Sequence, residues 1–221
     1  MVGIENGEEG MRPLQIVFPC GDIKLEGLFY SVETGGPAPA VVVCHPHPLY
    51  GGTMHNNVTY AIADALMKSG IAALLFNFRG VGGSQGSYGG GLAEQQDVGA
   101  ALDWLGSAKG VDGDRMGLAG YSFGAGVAFP VGCRDARVKA IALVSPYFES
   151  SPVSLLKSCL KPKLMLGGSM DDMVPSHDVE SCGKEAAEPK KCEIIKGPDH
   201  FWGGYEGPMA EKVAGFFKEN L

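Results

Sequence analysis

Positive charge is in short supply in this 221-residue chain: 18 Lys and Arg face 25 Asp and Glu, a net charge of −7. A protein that grips a phosphate backbone needs a basic surface to displace counterions, so nucleic acid is not expected as a partner. No apolar run approaches the roughly 18 residues needed to cross a bilayer. Residues 1–10 carry Glu5, Glu8 and Glu9 where a secretory leader would carry basic and then apolar residues. The expectation is a cytoplasmic protein with no membrane association. Cys-x-x-Cys pairs are missing too: Cys20, Cys44, Cys133, Cys159, Cys182 and Cys192 are scattered singly. They read as reduced thiols without a metal or catalytic role, Cys44 and Cys133 as small buried hydrophobes. Repeats, low-complexity tracts and breaks in composition are absent as well. That leaves a short tail over residues 1–12 and one domain over residues 13–221.

What the chain has is glycine, 34 residues, about twice the usual share of roughly 7%. Many tight loops follow from it. Residues 14–18 and 23–30 alternate apolar and polar around Gly21, as an antiparallel hairpin does. The pattern then changes to continuous apolar runs at 40–44, 71–78, 116–121, 140–144, 163–166 and 192–195, which suit strands covered on both faces. Helical stretches are predicted near 58–68, 92–105, 122–131, 177–187 and 208–218. Strand and helix alternating after a hairpin give a mostly parallel eight-stranded sheet with helices on both faces. Only 18 residues separate Val144 from Lys163. A large cap is therefore excluded, although residues 146–160 have room for a short helix and loop over the site.

The strongest chemical signal is Gly120-Tyr121-Ser122-Phe123-Gly124, after an apolar run and before a small-residue stretch. Strand, sharp turn and helix present a serine hydroxyl outward, and the flanking glycines remove Cβ atoms that would collide. Serine needs an imidazole to take its proton and a carboxylate to orient that imidazole. His200, in the loop after the last predicted strand, is the best placed of five histidines. The carboxylate is expected after the preceding strand, where either Asp171 or Asp172 would serve; Asp199 reads as a turn residue.

Three histidines within eleven residues, His45, His47 and His55, raise a metal hypothesis. No Asp or Glu lies among them, and Pro46 and Pro48 stiffen the run, so no metal is expected. The stretch reads better as a loop donating one N–H to an oxyanion, with Phe123 donating the other. Proline has no N–H, which leaves His47 as the natural donor and Leu49 or Tyr50 as fallbacks. The Gly-rich run 80–86 ends without the Lys-Ser or Lys-Thr of a phosphate-binding loop and reads as structural.

The order Ser122, Asp171, His200, with Asp171-x-x-Val174-Pro175 and Asp199-His200-Phe201, resembles the α/β-hydrolase superfamily over nearly the whole chain. That resemblance favours Asp171 over Asp172. His45-Pro46-His47-Pro48, Gly51-Gly52-Thr53 and Asn77-Phe78-Arg79-Gly80 resemble small, lid-poor bacterial hydrolases allied in size to dienelactone hydrolases. It implies an α/β-hydrolase fold with a minimal cap and no organic cofactor. The expected activity is hydrolysis of short-chain esters through an acyl-enzyme on Ser122. Thioester, lactone, amide or C–C cleavage on the same residues, or a non-catalytic ligand-binding scaffold, are the alternatives. Tyr50 and Trp202 are expected to touch substrate, with Tyr147, Phe148 and Phe201 as further aromatics near the pocket. The partner is a small acyl compound, and the protein is expected to be a monomer or a homodimer.

Overall fold

A computed structural model of the protein describes residues 13–221; the tail expected over 1–12 lies outside the described residues. The hairpin is β1 (Leu14–Cys20) and β2 (Ile23–Tyr30), turning at Gly21 with φ +57°. There follow β3 (Ala38–Cys44), α1 (Asn57–Lys68), β4 (Ala72–Phe76), α2 (Leu92–Ser107), β5 (Val111–Tyr121), α3 (Phe123–Arg134) and β6 (Val138–Val144). The chain ends with α4 (Val153–Ser158), β7 (Lys163–Gly168), α5 (Ser176–Glu185), β8 (Lys190–Ile195) and α6 (Glu206–Asn220). The strands form one eight-stranded sheet in the order β1-β2-β4-β3-β5-β6-β7-β8. β1 and β2 pair antiparallel with each other, β2 pairs antiparallel with β4, and all remaining pairings are parallel. This is the α/β-hydrolase architecture.

The continuous apolar strands are explained by two cores. Along β3, Ala40, Val42 and Cys44 face one core, with α2, α3 and α5 over it, while Val41 and Val43 face the other, under α1 and α6. α6 packs directly onto β5 because Gly117 has no side chain; a Cβ there would lie 2.7 Å from Phe217 Cδ1. α1 starts where it does because the Asn56 side chain caps it, accepting the Val58 N–H at 2.9 Å.

Most elements differ from the sequence reading by a few residues at one end or both, and two of these shifts have a visible cause. β5 begins at Val111, not 116, because its polar first half, Asp112 to Arg115, is tied down by the Arg115–Asp112 ion pair and by Arg115 Nη2 donating to Pro37 O. β4 ends at Phe76, not 78, because Asn77 and Phe78 leave the ladder to hold the neighbouring loop. The Asn77 side chain accepts the Met54 N–H at 2.7 Å, and the Phe78 N–H donates to His45 Nε2 at 3.1 Å. Between β6 and β7 the short helix α4 and the preceding residues 145–152 form the minimal cap. No helix of the described residues is long and apolar enough to cross a membrane.

Phe217 is fully buried. Phe217→Ala is expected to cost about 3–5 kcal/mol, through lost burial and a cavity over Gly117, read as a lower denaturant midpoint with an unchanged m-value.

Candidate active site

The carboxyl ends of the parallel strands gather the functional side chains, as expected for an open α/β sheet. Ser122 sits between β5 and α3 with φ +55° and ψ −121°, a conformation costly for any residue with a Cβ. Two close approaches hold it there. A Cβ on Gly120 would lie 2.5 Å from the Gly124 carbonyl carbon, and one on Gly124 would lie 2.5 Å from Cys44 O. Only glycine at both positions lets strand, turn and helix pack this tightly. The Ser122 N–H is tied to Val144 O at 2.9 Å, and its carbonyl accepts the Tyr147 N–H at 3.1 Å.

His200 Nε2 lies 3.0 Å from Ser122 Oγ, and His200 Nδ1 lies 3.0 and 2.9 Å from the two carboxylate oxygens of Asp171. All three residues are buried. The Asp171 carboxylate also accepts the Met173 N–H at 3.0 Å and the Val174 N–H at 2.7 Å. Burial alone would raise its pKa; the bonds from His200, Val174 and Ser145 outweigh burial and hold it below the usual carboxylate range. It is therefore an anion at neutral pH, fixed to accept the hydrogen bond of His200 Nδ1–H, which leaves the unprotonated Nε2 facing the Ser122 hydroxyl. Asp172 is exposed and makes no hydrogen bond among the described residues, and Asp199 accepts the Phe201 N–H at 2.9 Å as a turn residue.

The three histidines of the 45–55 stretch disperse to separate partners. His45 accepts from Phe78 N–H at Nε2, which puts its proton on Nδ1, 2.6 Å from Pro46 O. His55 bonds Tyr60. The His47 Nδ1 accepts the Leu49 N–H at 3.2 Å, and the Tyr50 N–H donates to His47 O at 3.1 Å. Both fallback donors are thereby engaged within the loop, and the His47 N–H has no acceptor among the described residues. Phe123 is the first residue of α3, where an amide has no intrahelical acceptor. Its ring packs on the His47 imidazole with centroids 4.7 Å apart.

Trp202 departs from the sequence expectation. It is fully buried, with φ +61°, and its indole N–H donates to Ser145 Oγ at 3.1 Å. It supports the acid from beneath and does not line a pocket, because the left-handed turn swings the ring inward. Tyr50 is 83% exposed, with its ring against His47, and belongs to the rim. Phe201 is also exposed at the mouth, whereas Tyr147 and Phe148 line the clefts on either side of residues 146–152. Two supporting residues escaped sequence reading. Ser145, itself at φ +42°, bridges Trp202 to Asp171. Tyr121 donates its hydroxyl to His200 O at 2.6 Å, fixing the histidine loop. The glycine-rich 80–86 run is bonded to the hairpin: the Gly83 N–H donates to Glu26 at 2.6 Å and the Gln85 N–H to Lys24 O at 2.9 Å, and just before it Arg79 pairs with the buried Asp97 at 2.7 Å.

A family model described as X-Pro dipeptidyl-peptidase (S15 family) matches residues 23–177, a span that includes Ser122 and Asp171 and ends before His200. An uncharacterized protein of Rickettsia prowazekii is 35% identical over 196 residues, covering 85% of this chain and 82% of its own. The solved structure of an alpha-beta serine hydrolase homologue from Coxiella burnetii is 30% identical, with a TM-score of 0.84 over 94% of this chain and 98% of its own. A Xanthomonas campestris structure, described as an a/b serine hydrolase without lid, shares the fold at 24% identity and a TM-score of 0.79, covering 97% of each chain.

Burial pushes the His45 imidazole from 6.5 down to about 4, so the unfolded chain takes up a proton that the folded protein refuses. The stability this confers is complete above the unfolded pKa and is lost as pH falls toward 4. Between pH 7.5 and 4.5 the contribution is about 2–3 kcal/mol. His45→Gln is expected to flatten the pH dependence of unfolding by that amount in urea titrations; an unchanged slope would mean that His45 does not carry it.

Proposed function

Because the chain belongs to the X-Pro dipeptidyl-peptidase (S15) family of the α/β hydrolases, we propose that it is a serine hydrolase cleaving short-chain carboxylic esters through an acyl-enzyme on Ser122. The observation that carries the reading is the buried relay from Asp171 through His200 to Ser122, with each link at hydrogen-bond distance. In this mechanism His200 Nε2 takes the Ser122 hydroxyl proton as Oγ attacks the ester carbonyl carbon. The carbonyl π-electrons move to oxygen, and the N–H groups of His47 and Phe123 stabilise the resulting oxyanion. Collapse of the tetrahedral species breaks the bond to the alcohol, which leaves with the proton from His200. Water, deprotonated by the same imidazole, then attacks the acyl-enzyme and frees the acid.

Asp171 never takes the proton; it holds His200 in the Nδ1–H tautomer and stabilises the imidazolium. Three features favour a compact substrate. The cap is a single six-residue helix. The cavity beside Phe123 is about 270 Å³, below the usual range of roughly 300–1,000 Å³ for ligand pockets. Nothing in the rim encloses a long chain. In keeping with the chain's charge and element lengths, the reading is of a protein acting on a small molecule in the cytoplasm.

The purified protein is expected to hydrolyse p-nitrophenyl acetate and butyrate faster than the octanoate and palmitate, with Ser122→Ala at background. Equal activity of mutant and wild type would sink the nucleophile assignment. The oxyanion assignment has its own test. The His47 backbone, at φ −58°, already suits proline, so His47→Pro removes the N–H with little change of path. It is expected to lower kcat by about 10²–10³. His47→Ala, which keeps the amide, is expected to lose much less; equal losses would assign the effect to the ring.

A further inference from the structure

The side of the site away from His200 is a built cavity with a definite charge. Once an ester carbonyl is seated with its oxygen toward the Phe123 and His47 amides, His200 must face the leaving alcohol in order to protonate it. The acyl substituent then points to the opposite side. A cavity of about 270 Å³ starts at Phe123: it is walled by Phe123, Gly126, Val127, Phe129, Tyr147 and Glu149, and neither Ser122 nor any residue of the histidine loop borders it. Its link to the nucleophile turn is Phe123, the residue after Ser122, and the Tyr147 N–H ties the opposite wall to that turn by donating to Ser122 O at 3.1 Å. A side chain at position 126 would collide with the Tyr147 carbonyl oxygen, so glycine there lets the strap lie close on α3.

Among the described residues no lysine or arginine lines this cavity or the one of about 400 Å³ on the other face of the strap, whose acidic residues are Glu149, Asp178 and Glu185, the last paired with Lys157 at 2.9 Å. Glu149 stands at the catalytic end. A Cβ at Gly91 would touch both the Phe123 ring, at 3.7 Å, and Glu149 Oε2, at 3.8 Å. Among the described residues no lysine or arginine forms an ion pair with it. Burial lowers the His47 pKa against the pull of Glu149 and Glu94, and the Leu49 N–H occupies Nδ1, so that imidazole is neutral. The Tyr88 hydroxyl bridges His47 Nε2, at 3.2 Å, and Glu149, at 3.5 Å. Arg134 bonds two lining residues, Pro130 and Gln95, but it ends α3, eleven residues beyond Phe123 and thus about 16 Å along the helix. A short acyl chain does not reach it.

We infer that the cavity beside Phe123 is the acyl pocket and that Glu149 makes it selective for uncharged acyl groups against acyl groups bearing a carboxylate. This rests on the ester-hydrolase reading above. Two penalties act together on an anionic acyl group: its carboxylate loses water against Phe123, Val127 and Phe129, and it meets a like charge on entering.

The probes are p-nitrophenyl hexanoate and mono-p-nitrophenyl adipate, which share a leaving group and a six-carbon chain and differ in a terminal methyl or carboxylate. Ser122→Ala supplies the background. The hexanoate is expected to exceed the adipate in kcat/KM by at least about tenfold. In Glu149→Gln the ratio is expected to narrow about threefold, mainly through KM for the adipate, and added salt is expected to narrow it in wild type but less in the variant. Leu155→Trp, which fills the outer cavity, is expected to lower the octanoate-to-acetate ratio. Equal turnover of the two probes, or a ratio unmoved by Glu149→Gln, would overturn the inference while leaving the hydrolase reading intact. Preference for the adipate would overturn it. No Ser122-dependent turnover of either probe would remove the hydrolase reading and this inference with it.

Discussion

The geometry of the site depends on one strained residue. Ser122 holds φ +55° and ψ −121° in a turn that no side chain at 120 or 124 would permit. Such strain persists only where the surroundings over-determine it, and here they do so from three sides. Cys44 at the end of β3 presses on Gly124, Val144 of β6 accepts the Ser122 amide, and Tyr147 of the strap donates to the Ser122 carbonyl. The same close packing aims the first amide of α3 into the site and seats the Phe123 ring on His47. The proposed nucleophile, the proposed Phe123 oxyanion donor and the proposed acyl-side cavity therefore all adjoin one local constraint.

Asp171 and His200 are held by neighbouring side chains and amides in the same way. Asp171 is gripped by two amides of its own loop and by Ser145, and Ser145 is held in turn by the indole N–H of Trp202. The histidine loop that carries Trp202 is anchored through Tyr121, the residue just before the nucleophile. Each member of the relay thus positions another, and the cluster is buried without an unsatisfied polar side-chain atom among the described residues. Complete pairing of this kind is what a buried polar network requires to be stabilising. The remaining charge pattern serves discrimination: acidic residues flank the strap, and the one guanidinium bonded to the cavity wall stands at its outer end.

Much of this was legible in the sequence, for identifiable reasons. Strands buried on both faces read as unbroken apolar runs, so β3 and β6 announce themselves and the parallel sheet follows. Gly120 and Gly124 around Ser122 record a steric requirement that few other structures impose. What escaped depends on directions that neighbouring residues do not encode. Phe201 and Trp202 are adjacent aromatics, yet one is exposed and the other buried, because a positive φ at 202 turns the indole inward. Asp171 and Asp172 are chemically identical, so only the family resemblance separated them in sequence; in the structure the amides of Met173 and Val174 hold Asp171, the one that faces the imidazole. Ser145 carries no motif, and its role exists only through β6 ending beside the acid loop. The polar start of β5 was hidden because its residues are held by an ion pair and a backbone carbonyl, not by burial.

The central claim is that Ser122, and no other residue, is activated as a nucleophile by this relay. Incubation with a fluorophosphonate, followed by intact-mass analysis and peptide mapping, tests it without any assumption about the natural substrate. The account predicts one adduct per chain, located on Ser122 and lost or greatly slowed in His200→Ala. An unmodified protein, or an adduct on a different residue, would contradict it.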